Sequence, residues 1–137
     1  MIFRQISPDP FAACAALHRR RRMLRARVQT LQACSDAEFF HQFPGVVAAV
    51  EAGFRHEEAL LERLGDACLH PRRADHAIIL SALHRTMSQV DSGDIQLGRQ
   101  VADALGHVLE LPCPFIAPVS LPRHTFGATH PRHARRQ

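Results

Sequence analysis

The stretch Gly53-Phe54-Arg55-His56-Glu57-Glu58-Ala59-Leu60-Leu61-Glu62-Arg63 sets the problem that the rest of the chain must solve. Glu57 falls inside a stripe at helical spacing, Val46, Val50, Gly53, Glu57, Leu60 and Leu64, that is otherwise apolar or small. A carboxylate in such a stripe loses its hydration, and an isolated buried charge is too unfavourable to persist. Glu57 therefore needs a cation, a hydrogen-bond donor or its own proton.

Outward from Glu57, the helix that carries it begins at Ser35-Asp36-Ala37-Glu38, a capping-box pattern, and ends at Gly65. Pro44 is expected to kink or restart it. A preceding helix runs from about Pro8 to Ala33, with Ser7 as N-cap and Cys14, Leu17, Leu24, Val28 and Leu31 at threes and fours. Arg21 interrupts that stripe. A third helix is read from about Pro71 to Val90, with Arg72, His76, Ile79, Leu83 and Val90 inward. Asp91-Ser92-Gly93-Asp94 forms a turn, and a fourth helix covers about Ile95 to Leu111 with Leu97, Val101, Ala104, Val108 and Leu111 inward. Pro112 and Pro114 stop it. Four comparable helices with short connections predict an all-α, up-down-up-down four-helix bundle over residues 1–111.

Composition agrees. The chain has 137 residues, enough for one domain; 46% are hydrophobic, there is no Trp or Tyr, and only 7 are Gly. No apolar run is long enough for a membrane span and no signal-peptide layout opens the chain, so a cytoplasmic protein is expected. Cys14, Cys34, Cys68 and Cys113 are scattered, without metal-ligand or disulfide spacing. The formal charge of +4 resides in the C-terminus: residues 1–111 hold 13 Arg and 13 acids, whereas 112–137 hold 4 Arg, 3 His and no acid. That Pro/Arg/His-rich tail is expected to be disordered, and the basic pI does not argue for a nucleic-acid partner. Its composition also allows a truncated or frameshifted copy with no active role. Arg19, Arg20, Arg21, Arg22, Arg25 and Arg27 form a basic cluster, read as a solvated helix face or a surface for an acidic partner, a membrane headgroup or RNA. No Ser-His-Asp set, nucleotide loop or acid/base carboxylate pair points to an enzyme.

Polar groups on all four helices lean towards one region: His18 borders the first stripe, Glu57 lies in the second, Arg72 and His76 in the third, and His107 borders the fourth. Bundles assemble metal sites in this way. The Gly53–Arg63 stretch, followed by Pro71-Arg72-Arg73-Ala74-Asp75-His76-Ala77, resembles the second and third helices of bacterial hemerythrins, the HHE cation-binding family. The resemblance covers about Phe43 to Arg85. It implies a non-haem di-iron centre that takes dioxygen, with Glu57 as the bridging carboxylate and His76 as the second His of a pair. It also assigns His18 to the first-helix ligand and His107 to the fourth. Gly53 and Arg72 stand where two family histidines are expected, and Pro112 where a bridging Asp is expected. Two accounts follow. Glu57, His76 and His107 form a reduced iron site, with His18 at a second position, that takes dioxygen or another small ligand. Alternatively Arg72 enters the bundle, pairs with Glu57 and leaves a metal-free structural or regulatory bundle acting through partners.

Overall fold

The structure, a computed structural model, describes residues 9–111 and is an all-α four-helix bundle. Helix α1 spans Pro10–Ala33, α2 Asp36–Leu64, α3 Leu69–Asp91 and α4 Ile95–Glu110. The helices form a ring: α1 packs on α2 and α4, α3 packs on the same two, and of the diagonal pairs only α2 and α4 touch. No described helix is long and apolar enough to cross a membrane. The proposed Ser7 cap, Cys113 and the 112–137 tail lie outside the described residues.

Local chemistry sets the boundaries. Asp9 caps α1: its side chain accepts from Phe11 N, and Pro10 is the first helical residue. The capping box at the start of α2 forms as expected, with Ser35 Oγ accepting from Glu38 N and the Glu38 carboxylate accepting from Ser35 N. Gly65 ends α2 with φ 62°, a conformation that favours glycine. Pro44 does not restart α2, which runs unbroken through it. Helix α3 begins two residues earlier than expected, which puts Pro71 in the first turn, where its missing N–H has no helical acceptor to lose. Arg99 of α4 ties the α1–α2 corner. It donates to the carbonyls of Gln32 and Cys34 and to the Asp36 carboxylate, satisfying groups that the end of α1 leaves open.

Helix α1 follows its stripe, and α3 buries His76, Leu83 and Val90 of its own with Arg72 and Ile79 half-buried. Helix α2 follows its stripe at Val46, Val50 and Glu57, but Phe54 and Leu61 are buried where Gly53, Leu60 and Leu64, half-buried, were expected. Leu17, Leu24, Val28 and Leu31 are buried on α1, with Cys14 half-buried beside Ala13. The α4 face is rotated by one residue from the expected one: Gly98, Ala102, Leu105 and Leu109 are buried, whereas Ala104 and Leu111 are exposed. Valines and leucines cover a wide arc of α4, so periodicity leaves its rotation open. Close approach settles it. A Cβ on Gly98 would lie 2.6 Å from Val90 and 2.7 Å from the Phe39 ring, so α4 seats its smallest residue against that wall. Phe39 and Phe43, stacked at 5.3 Å, anchor the main apolar cluster in this half of the bundle.

Gly98→Ala is expected to destabilise the bundle by about 1–3 kcal/mol through overpacking, although alanine favours helix by roughly 1 kcal/mol. Urea denaturation measures it. An unchanged or higher midpoint would mean that α4 is free to shift outward.

Candidate functional site

The other half of the bundle is interrupted by a layer of buried polar side chains. Arg21 continues the α1 stripe between Leu17 and Leu24 and is only 8% exposed. Glu57 is 3% exposed on α2, and His76 is 3% exposed on α3. Ala13, Leu17 and Leu61 are buried but stand apart from the main apolar cluster, at the end of the bundle beyond this layer.

Arg21 supplies the cation that Glu57 requires. Its Nε donates to Glu57 Oε1 at 3.0 Å and its Nη2 to the same oxygen at 2.8 Å. Its Nη1 donates to the Leu111 carbonyl at 3.2 Å, which ties the end of α4 to the same guanidinium. The expectation that Arg72 pairs with Glu57 is thus corrected. Arg72 is half-buried at the start of α3 and makes no ion pair among the described residues, while Arg21, inside the stripe and one turn from Leu17, already faces the carboxylate.

His76 approaches from the third helix. Its Nε2 lies 3.0 Å from Glu57 Oε2 and its Nδ1 3.5 Å from Glu58 Oε2. Neither contact has the direction of a well-formed hydrogen bond. The ring lies flat on Phe54, with centroids 3.9 Å apart and planes 2° from parallel. That stacking fixes the imidazole and keeps water from one of its faces. Burial pushes the Glu57 carboxyl up, but His76 and Arg21 facing it outweigh burial and hold it below its ordinary value.

The four residues assigned to the metal are thus not gathered. Glu57 and His76 meet. His18 is half-buried on α1, without an ion pair or hydrogen bond from its ring among the described residues. His107 is turned to solvent by the rotation of α4, and its Nδ1 sits 2.8 Å from the Asp103 carbonyl of its own helix. That carbonyl and the Asp103 carboxylate raise the His107 pKa, the ordinary behaviour of a surface imidazole near a helix end. No cluster of three or more His, Cys, Asp or Glu suited to a metal ion occurs among the described residues. An iron centre does not fit this donor set: a guanidinium occupies one side of the carboxylate and would repel a divalent cation. Gly53 has no side chain to offer as a ligand, and a Cβ there would already lie 2.9 Å from Leu24.

No protein-family model matches the chain, and no curated protein or solved structure shows significant similarity to it.

Arg21→Met strands the Glu57 carboxylate in the core and is expected to lower stability by about 3–5 kcal/mol. Adding Glu57→Leu should restore much of that loss, because replacing both partners of a buried ion pair by apolar groups is often near neutral. Urea denaturation of the two single variants and the double variant would show it; additive losses would mean that the pair is not coupled. Stability should also depend on pH with a definite sign. A carboxyl held below its unfolded value, 4.5, contributes stabilisation that is complete above that value. It is lost as pH falls from there through the lowered folded value. Glu57→Gln should flatten this acid limb.

Proposed function

We propose that this chain is a hemerythrin-like bundle whose core has exchanged a metal for an arginine, and that it acts through partners as a structural or regulatory module, not as an enzyme. The observation that carries this function is the guanidinium of Arg21 on Glu57 Oε1. In a metal-binding bundle an inward carboxylate is balanced by the cation it ligates. Here a side chain of the first helix carries that positive charge, so the folded chain meets the electrostatic demand of Glu57 without taking up an ion. The layer has the organisation of a site, with contributions from three helices and the end of the fourth, but it is spent on holding them together. Cys14, Cys34 and Cys68 are free thiols, which suits a reducing compartment, and cytoplasmic residence is part of the proposal.

One feature favours the rival function, a mononuclear iron remnant that takes dioxygen or another small ligand. Glu57 Oε2 and His76 Nε2 face each other and are the right donor types. Two donors beside a fixed guanidinium fall short of the two-histidine, one-carboxylate set that such sites use, because His107 is on the surface.

Anaerobic incubation with ferrous iron, followed by desalting and metal analysis, is expected to leave near-zero iron per chain. The melting temperature should be unmoved by added ferrous ion, since a ligand of the native state would raise it. One iron retained per chain would overturn the proposal and restore the remnant site.

A further inference from the structure

The seam between α1 and α2 on the outside of the bundle is an open groove in two adjoining sections. The larger encloses about 590 Å³ and the second about 430 Å³, with Arg27 lining both. On α1 the groove runs from Ala16 to Thr30, about 21 Å of helix at 1.5 Å per residue. Its floor is made of small side chains, chiefly Ala16, Ala26, Gly45, Ala49, Ala52 and Gly53. A Cβ on Gly45 would meet nothing within 4 Å, so this part of the floor is open space rather than packed core.

Charge marks one side of it. Arg19, Arg20 and Arg27 line the groove, and among the described residues no acidic one lines either section. Among the described residues these three arginines and the neighbouring Arg22 have no acidic partner. The contrast on the same helix is sharp: Arg21 is bound to Glu57 and Arg25 to Glu110. Met23, a large flexible apolar side chain, projects from the same face at 68% exposure.

We infer that this groove is a docking surface for an acidic amphipathic helix of a partner protein. A floor of Ala and Gly lets another helix backbone approach closely, and Met23 offers an adaptable apolar contact. Guanidinium groups left unpaired at the edge would meet carboxylates of the incoming helix and set its register and orientation. The basic cluster read from the sequence thereby gains a specific occupant. A bilayer presents a flat surface that cannot enter a concave seam, and among the described residues no Phe, Tyr or Trp lines the groove for bases to stack on. This inference rests on the partner-mediated role proposed above. The two fail separately: iron uptake would remove the metal-free core and leave the groove intact, whereas a silent groove would leave the core as proposed.

The test is a fluorescence-anisotropy titration of the full chain with a labelled synthetic helix of about 20 residues, glutamate-rich on one face and Ala/Leu on the other. Saturable one-to-one binding is expected, weakening as salt is added. The triple variant R19E/R20E/R27E should lose roughly tenfold or more in affinity. Ala52→Phe, at an exposed floor position, should lose a comparable factor without any change of charge. Gly45→Leu does the same in the second section, where the added side chain has room, so that one of the two blocking variants folds even if the other does not. Circular dichroism checks each fold. Anionic phosphatidylglycerol vesicles and a single-stranded RNA oligomer are titrated in parallel. No saturable peptide binding, indifference to both blocking variants, or tighter binding of vesicles or RNA than of the peptide would each overturn the inference.

Discussion

Burying a carboxylate between helices imposes a condition on everything around it, and here Arg21 meets that condition. The guanidinium is planar and always charged, so it can hold one carboxylate oxygen with two donors and still reach the Leu111 carbonyl with a third. Through this one side chain α1 is joined to α2 and to the end of α4. His76 adds α3, pressed on Phe54 and facing the other oxygen of Glu57. The layer therefore fixes the relative height of the four helices. Apolar packing alone would do this less strictly, since a helix that slides by a turn presents another apolar stripe, whereas an ion pair displaced by a turn leaves two buried charges alone. A buried pair need not add net stability to exert this control, because its effect lies in how unfavourable the alternatives become.

This layer also explains the division of the core. On one side of it Phe39, Phe43, Leu31 and Val90 form a dry apolar cluster closed by the approach of Gly98. On the other, a smaller set, Ala13, Leu17 and Leu61, closes the opposite end. A metal centre would impose the same division, with an ion in place of the guanidinium. With Arg21 in that place, the charge of Glu57 is balanced by a side chain of the bundle itself.

Much of the fold was legible in the residues. The capping box at Ser35, the glycine at position 65 and the spacing of Leu24, Val28 and Leu31 each have a local physical cause that a reader of the sequence can apply. The demand of Glu57 for a positive partner was legible for the same reason. Which arginine meets it was not. Arg21 breaks an apolar stripe and reads as a departure from the pattern, whereas Arg72 lies on the expected inner stripe of α3, one turn from His76. Yet Arg21 sits four residues after Leu17 and three before Leu24, in register with the inner face. An arginine in register with a core stripe, on a helix adjacent to one bearing a buried glutamate, is the signal that would have identified the partner. The rotation of α4 had no comparable signal, because Val101, Val108, Leu97 and Leu105 make its apolar arc wider than one face. Only the meeting of Gly98 with Phe39 and Val90 chooses among the rotations, and that contact is between residues distant in sequence.

The arginines of α1 illustrate how one cluster in sequence becomes several roles in space. Successive residues of a helix are separated by about 100°, so six arginines within nine residues must point in different directions. Arg21 points into the core and Arg25 crosses to Glu110 on α4. Arg19, Arg20 and Arg27 lie along the seam with α2, where no acid among the described residues faces them. Composition alone would treat the cluster as a single patch of positive charge. The helix divides it into a cation that organises the interior and a row left unneutralised outside, and the two are coupled through a rigid rod. Whatever binds along the seam lies on the same helix that carries Arg21, one or two turns away. The bundle thus places its outward-facing charge on the element whose position its interior charge fixes most strictly.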